Sequence, residues 1–248
     1  MATRRRGLGD VLHYFISETE QAEARQASAS RQPHSGGSQR VRWLVCAEPT
    51  RPLSCALAVD LAAALGDRGI ATEILSPFAP PFEYAAPSDI PWRKVSEPPE
   101  AGEVLAALPP GSGALLLLPP AERPRWLREL ASRDALEGIL LSVDAASRGL
   151  QHAMTTLREL LKPPLSQRVG AVVVGAVDDE SAARLFRQLA SAASRQYGLD
   201  LEALGRLSHD RASFRSLLRG RSVLEVDADS VSAQSIRDVS LRLVAPGA

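Results

Sequence analysis

With 248 residues, 45% of them hydrophobic and 23% charged, the chain has the composition of a globular protein with room for one α/β domain of ordinary size and a buried core. Its 29 basic and 29 acidic residues cancel, so no global field draws it onto phosphate backbones or anionic lipid. Cys46 and Cys55, the two cysteines, fit neither a disulfide framework nor a zinc site, and no apolar run reaches the ~18 residues of a membrane span; a reducing, cytoplasmic setting is expected.

The first segment, "RRRGLGDVLHYFISETEQAEARQ", places Leu8, Val11, Leu12, Phe15 and Ile16 at i, i+3, i+4, i+7 and i+8, a narrow apolar stripe on a helix of about three turns. Such a stripe suits docking into a groove on a protein partner. Folding back onto its own domain is the competing reading. Arg4, Arg5 and Arg6 would suit a membrane surface, but Glu18, Glu20 and Glu23 oppose anionic lipid, and stable membrane insertion is not expected. Residues 27–40, "ASASRQPHSGGSQR", have no apolar period and read as a flexible linker. The expected organisation is therefore a docking helix over 1–26, a linker over 27–40 and a folded domain over 41–248.

From Val41 the pattern alternates strand and helix. Short continuous apolar runs at Val41–Cys46, Ile70–Leu75, Ala114–Leu118, Gly138–Val143 and Val169–Val177, with amphipathic segments between most of them, predict a doubly wound, mostly parallel sheet with helices on both faces. Helices are expected at Arg123–Ser132, Ala146–Leu161, Asp179–Tyr197, Ala212–Leu218 and Val231–Leu243. Ser76 to Pro99, "SPFAPPFEYAAPSDIPWRKVSEPP", is too rich in proline for regular helix or a central strand and should lie across the surface. Its aromatics Phe78, Phe82, Tyr84 and Trp92 suit either an exterior contact or an anchor to the body of the domain.

Several polar clusters have structural readings that outweigh chemical ones. Ser208, His209 and Asp210 are immediate neighbours and do not converge as a catalytic triad does; Asp210 is expected to cap the helix from Arg211. Asp178 or Asp179 should cap the helix that follows, with Glu180 in its first turn, and Asp144 should cap the helix from Ala146. His13, His34 and His152 have no partner at ligand spacing, so no metal site is expected. Cys55, near a helix start, reads as a small buried residue.

The loop after the first strand is where an open parallel sheet usually holds its ligand. Its surroundings resemble the MinD/ParA family of partitioning and positioning ATPases, including the flagellar regulator FlhG. "CALAVDLAAALGDRGIATEIL" is similar to the family's helix "ALNLAxALAxxG" and second strand. "DAASRGLQHAMTTLREL" and "LGRLSHDRASFRSLLRGRSVLEVDADSVSAQSIRDVSLRL" are similar to its later helices, so the likeness runs from Val41 to Val244. It implies a P-loop NTPase-like fold, ATP with magnesium, and dimerisation around sandwiched nucleotide.

The residues expected to do that chemistry differ. Where the family has a KGGVGK[ST]-type loop, this chain has Glu48, Pro49, Thr50, Arg51, Pro52, Leu53 and Ser54, with no glycine and no lysine. Two prolines remove N–H donors that a phosphate loop depends on, and Glu48 places a negative charge where a triphosphate would sit. Ser76, Pro77 and Phe78 stand where acidic residues are expected, Pro119 and Pro120 where a magnesium-linked Asp is expected, and Gly175 and Ala176 where a base-reading Asn is expected. The expectation is a degenerate family member with no bound cofactor. It would be a pseudo-ATPase acting as a scaffold or regulator through protein partners, among them an intact ATPase homologue or a second copy, and not through nucleic acid. The alternative is an atypical ATPase in which Arg51 replaces the lysine and Ser54 holds magnesium.

Overall fold

The computed structural model of the protein describes residues 41–46, 52–80, 90–146, 148–161 and 167–244, with residues 52–54 described in their backbone only. The docking stripe at Leu8, Val11, Leu12, Phe15 and Ile16, and the linker, lie outside the described residues. Gln39–Val244 forms one compact unit.

Seven parallel strands make one sheet: β1 (Val41–Cys46), β2 (Ala71–Ser76), β3 (Trp92–Lys94), β4 (Ser112–Leu117), β5 (Gly138–Asp144), β6 (Arg168–Val174) and β7 (Glu202–Leu207), in the order β3-β2-β4-β1-β5-β6-β7. Parallel pairing needs long crossovers, and eight helices among the described residues supply them and flank the carboxyl end of the described chain: α1 (Pro52–Gly66), α2 (Pro98–Ala107), α3 (Arg123–Ala131), α4 (Gly149–Leu160), α5 (Asp179–Tyr197), α6 (Arg211–Arg219), α7 (Val223–Val226) and α8 (Val231–Val244). This is the expected doubly wound architecture.

The two-residue period of β1 shows why helices must cover both faces. Val41, Trp43 and Val45 belong to one apolar core with Leu57, Leu61 and Leu65 of α1 and Ile236 and Val239 of α8. Leu44 and Cys46 belong to the other, with Leu105 of α2, Trp126 of α3, Leu157 of α4 and Leu189 of α5. Apolar surface buried on both sides of a strand drives this layering, at roughly 25 cal/mol per Å².

Helix α1 begins at Pro52, whose missing N–H costs nothing at a first helical position. It is apolar around nearly its whole circumference, with Cys55, Ala58, Val59, Leu61, Ala62, Ala64 and Leu65 all buried, because strands lie beneath it and α7 and α8 beside it. It ends in a turn closed by Gly69 at φ 78°, a conformation open to glycine at little cost.

Four elements differ from expectation. Trp92–Lys94 forms an edge strand, pairing with β2 through Ile74, Leu75 and Ser76, and Pro98 opens α2 from within the proline-rich segment. Both places tolerate proline, an edge strand and a first helical turn. The apolar run from Val169 stops as a strand at Val174, since Gly175 has φ 76°, and Val177 is 92% exposed. Helix α4 starts at Gly149, three residues later than Ala146.

The rims of the sheet are unlike its centre. Strand β3 is three residues long, with Arg93 and Lys94 exposed and Arg93 paired to Glu73 at 3.1 Å. Strand β7 carries a register shift against Ala171 and Val172, with Gly205 at φ 128°, and α8 packs against it.

Candidate functional site

Because all seven strands run the same way, their carboxyl ends meet at one edge. The chain leaves β1 toward β2, β3 and β4 on one side and continues through β5, β6 and β7 on the other, so the crevice of a topological switch point opens beside β1. The loop in that crevice is the one expected to matter. Glu48, Pro49, Thr50 and Arg51 lie outside the described residues, as do the side chains of Pro52, Leu53 and Ser54.

Around the loop the neighbouring strand ends are described. Ser76, fully buried, accepts a hydrogen bond from the Phe78 N–H at 3.2 Å, and the Trp92 indole donates to the Phe78 carbonyl at 3.2 Å. The Phe78 and Trp92 rings lie 6.3 Å apart and tilted, against the α1 side of the core. They anchor the proline-rich segment to the domain; Phe82 and Tyr84 lie outside the described residues. After β4, Arg123 is 3% exposed and its Nε donates to the Leu118 carbonyl at 3.2 Å. Burial pushes the Cys46 thiol up to about 11, although the Arg123 charge acts to lower it. Cys55 is also buried, as a small helix residue should be.

At the end of β5, Asp144 Oδ1 accepts the Ala146 N–H at 2.8 Å, a turn-stabilising bond ahead of α4. After β6, Gly175 lies under His209: a side-chain carbon on Gly175 would meet His209 Cδ2 at 3.0 Å. Asp178 accepts the Ser181 N–H at 2.7 Å as the cap of α5. Asp210 caps α6 through the Ser213 N–H at 2.9 Å, with Ser213 Oγ accepting the Asp210 N–H in return, a capping box. The second carboxylate oxygen of Asp210 accepts the Ser232 N–H of α8 at 3.1 Å. Ser208, His209 and Asp210 are thus a structural corner. Among the described residues no group of three His, Cys, Asp or Glu could hold a metal ion.

One buried acid escaped the sequence reading. Asp60, 8% exposed in the middle of α1, accepts at Oδ1 from the Ser222 hydroxyl at 2.9 Å and from the Val223 N–H at 2.7 Å. It therefore ties α1 to the start of α7. Burial pushes its carboxyl up to about 7; the Val223 and Ser222 donors act to lower it and Glu225 to raise it. A lone Asp inside "CALAVDLAAAL" was the available signal. Nothing comparable marked Arg123, one of many arginines at helix starts.

Asp60 lines a cavity of about 110 Å³ between α1, the carboxyl ends of β5, β6 and β7, and the starts of α6 and α8. Among the described residues Ala56, Leu57, Val174, Leu207 and Ile236 form its apolar walls, and Ser142, Asp144, Ser208, His209, Ser213 and Ser232 also line it.

No protein-family model matches the chain, and no curated protein matches it in sequence. Solved structures do match in shape. MinD in the MinC:MinD cell division complex of Aquifex aeolicus superposes with a TM-score of 0.59 at 12% identity, over 82% of this chain and 95% of that one. The fold is that of the MinD proteins. The septum site-determining protein MinD of Pyrococcus horikoshii, complexed with Mg-ADP, gives 0.56 at 12% identity over 82% and 96% of the two chains. Apo McdA of Cyanothece gives 0.55 at 11% over 83% and 100%. The likeness is one of fold, a central β1 in a parallel sheet covered by helices on both faces.

Proposed function

We propose that the protein is a MinD/ParA-type scaffold or regulator that serves the positioning or assembly of a larger cellular structure by binding protein partners, without hydrolysing ATP. The MinD fold supports the positioning role, and the MinD of Aquifex aeolicus, solved together with MinC, is an example of that fold engaging a protein partner. The observation that carries the non-hydrolysing reading is chemical: the segment entering α1 is "AEPTRPLS", which has two prolines and an acid where backbone donors and a lysine would be needed to hold a polyphosphate.

The rest of the described edge fits magnesium nucleotide no better. Pro119 and Pro120 follow β4, Asp144 Oδ1 is taken by its own backbone turn, and His209 covers Gly175. Partner binding is assigned to Leu8, Val11, Leu12, Phe15 and Ile16 of the first 26 residues. Without sandwiched nucleotide, association with an intact ATPase homologue or with a second copy rests on protein surface alone. No helix among the described residues is long and apolar enough to cross a membrane.

The second reading, an ATPase using Arg51 and Ser54, is favoured by the Mg-ADP held by the Pyrococcus horikoshii MinD. Equilibrium titration of the full chain with ATP and GTP in magnesium separates the two. No saturable binding in the micromolar range is expected. Micromolar affinity with turnover abolished by Ser54→Ala would establish the ATPase instead.

A further inference from the structure

The cavity beside Asp60 has a polar lining of one chemical kind. Asp60 Oδ1 already accepts from Ser222 and Val223, and among the described residues no donor is paired with Oδ2. Ser213 donates its hydroxyl hydrogen to the Asp210 carbonyl at 2.8 Å, and Ser232 donates its own to the Ser208 carbonyl at 2.8 Å. A serine whose hydrogen is committed to a carbonyl offers a ligand only lone pairs. Asp144, exposed at the end of β5 and also on the lining, adds a second carboxylate. Among the described residues donors are few, namely Ser142, Ser208 and the His209 ring, and no described lysine or arginine lines the space. This is the reverse of a phosphate site, which needs converging N–H groups and positive charge.

We propose that this cavity binds a small organic cation, the head of an ammonium or guanidinium group, held by Asp60 and Asp144 with Ser213 and Ser232 as neutral acceptors. Such heads carry several N–H donors and a positive charge, and the apolar walls from Ala56, Leu57, Val174, Leu207 and Ile236 suit a short methylene stem behind them. A buried carboxylate with an open oxygen gains most from a charged donor, because charge-assisted bonds are about twice as strong as neutral ones. The proposal rests on the cavity alone and holds whichever way the β1–α1 loop treats nucleotide.

Proton linkage supplies an independent readout. Because burial keeps the Asp60 carboxyl near neutral range, a cation competes with its proton. The other titratable groups facing it are Asp144 and His209 on the cavity lining and Glu225 on α7. Affinity should rise up to about tenfold per pH unit below neutrality and level off above about pH 7.

The test is calorimetric titration of the full chain with agmatine, putrescine, acetyl-arginine methylamide and inorganic phosphate, at pH 6, 7 and 8. Saturable binding of at least one cation, with Kd of roughly 1 mM or tighter, is expected. Asp60→Asn keeps the Oδ1 acceptor for Ser222 and Val223, so it should fold, weaken the cation about tenfold or more at pH 8 and flatten the pH slope. Asp144→Asn, which keeps the acceptor for Ala146, should weaken binding independently, and His209→Gln should leave the slope in place. All three variants are checked by their melting temperatures. Binding of the blocked arginine identifies a protein side chain as the source of the group, and binding of the free amines alone identifies a small molecule. No saturable binding by any cation up to about 20 mM, preference for phosphate, or equal affinities in wild type and Asp60→Asn would overturn the proposal.

Discussion

Asp60 and Val223, separated by 163 positions in the chain, are joined by a 2.7 Å hydrogen bond from the Val223 N–H to the Asp60 carboxylate. Burial of that carboxyl, which outweighs the bond, sets a pH dependence. The carboxyl titrates near 7 in the folded protein against 3.8 for an ordinary Asp. Between about pH 4 and 7 the folded state keeps a proton that the unfolded state has released, so this contribution to stability falls as pH rises and is lost above about 7. Asp60→Asn should remove the slope and be more stable than wild type at pH 8, by at most about 4 kcal/mol. Asp60→Leu should be destabilised at every pH, since it strands the Ser222 hydroxyl and the Val223 N–H in the interior. Urea denaturation at pH 5, 6, 7 and 8 measures both.

The opposite sign is expected at Asp210. Partial burial opposes its ionisation, but donors on Ser213, Ser232 and Ala212 outweigh that and hold it below the ordinary carboxylate range. Its contribution is present near neutral pH and lost on acidification through the folded value. Asp210→Ala removes the cap of α6 and the bond to Ser232 of α8 together, at a cost of about 2 kcal/mol. Asp210→Asn should recover part of the loss at pH 7, read from the urea midpoint.

Gly138→Ala tests packing beneath the sheet. A carbon added there would come within 2.6 Å of the Trp43 ring, which is fully buried and has the Arg168 guanidinium 5.3 Å from its centroid. Overpacking of this kind costs about 1–3 kcal/mol or more. Trp43→Phe removes the six-membered ring that clashes, so the double variant should be less destabilised than the two single losses sum to, a coupling that denaturation of all four proteins measures.

Cys46 and Cys55 should resist thiol reagents. Both are buried, and the Cys46 thiol, titrating near 11, holds almost no thiolate at pH 8. Release of the chromophore from Ellman's reagent should be negligible in the native protein and correspond to two thiols after unfolding. Rapid native reaction of Cys55 would contradict the packing of α1 on the sheet, and rapid reaction of Cys46 the packing of the opposite face.

Removing residues 1–40 should leave the melting temperature of the remaining unit within about 2 °C, since Gln39–Val244 forms a compact unit with its own core. The same truncation should abolish capture of protein partners if the apolar stripe is their docking site. Retained capture would move that role to the folded domain.

The sheet was legible because buried parallel strands are written as unbroken apolar runs, as in Val41–Cys46 and Gly138–Val143. Strand β3 was not, because a three-residue edge strand amid prolines has no period to read, and its pairing with Ile74 and Ser76 is a tertiary fact. The capping roles of Asp178 and Asp210 could be read locally, since a cap and its partner lie within three residues. The cavity could not: its walls come from Asp60, Asp144, Ser208 and Ser232, brought together only by the crossovers. The hydroxyl direction of Ser232, set by the Ser208 carbonyl, depends on a neighbour that no short motif records.

The blunted rims of the sheet limit how copies of this protein can join. At one border the backbone runs straight for only three residues beside two cations, and at the other a kink under α8 spoils the regular ladder. Neither offers a template on which another chain could extend the sheet. Growth into fibres by strand addition is thereby discouraged, and any higher-order lattice must be stitched through side chains on helices and loops, where contacts are more readily reversed.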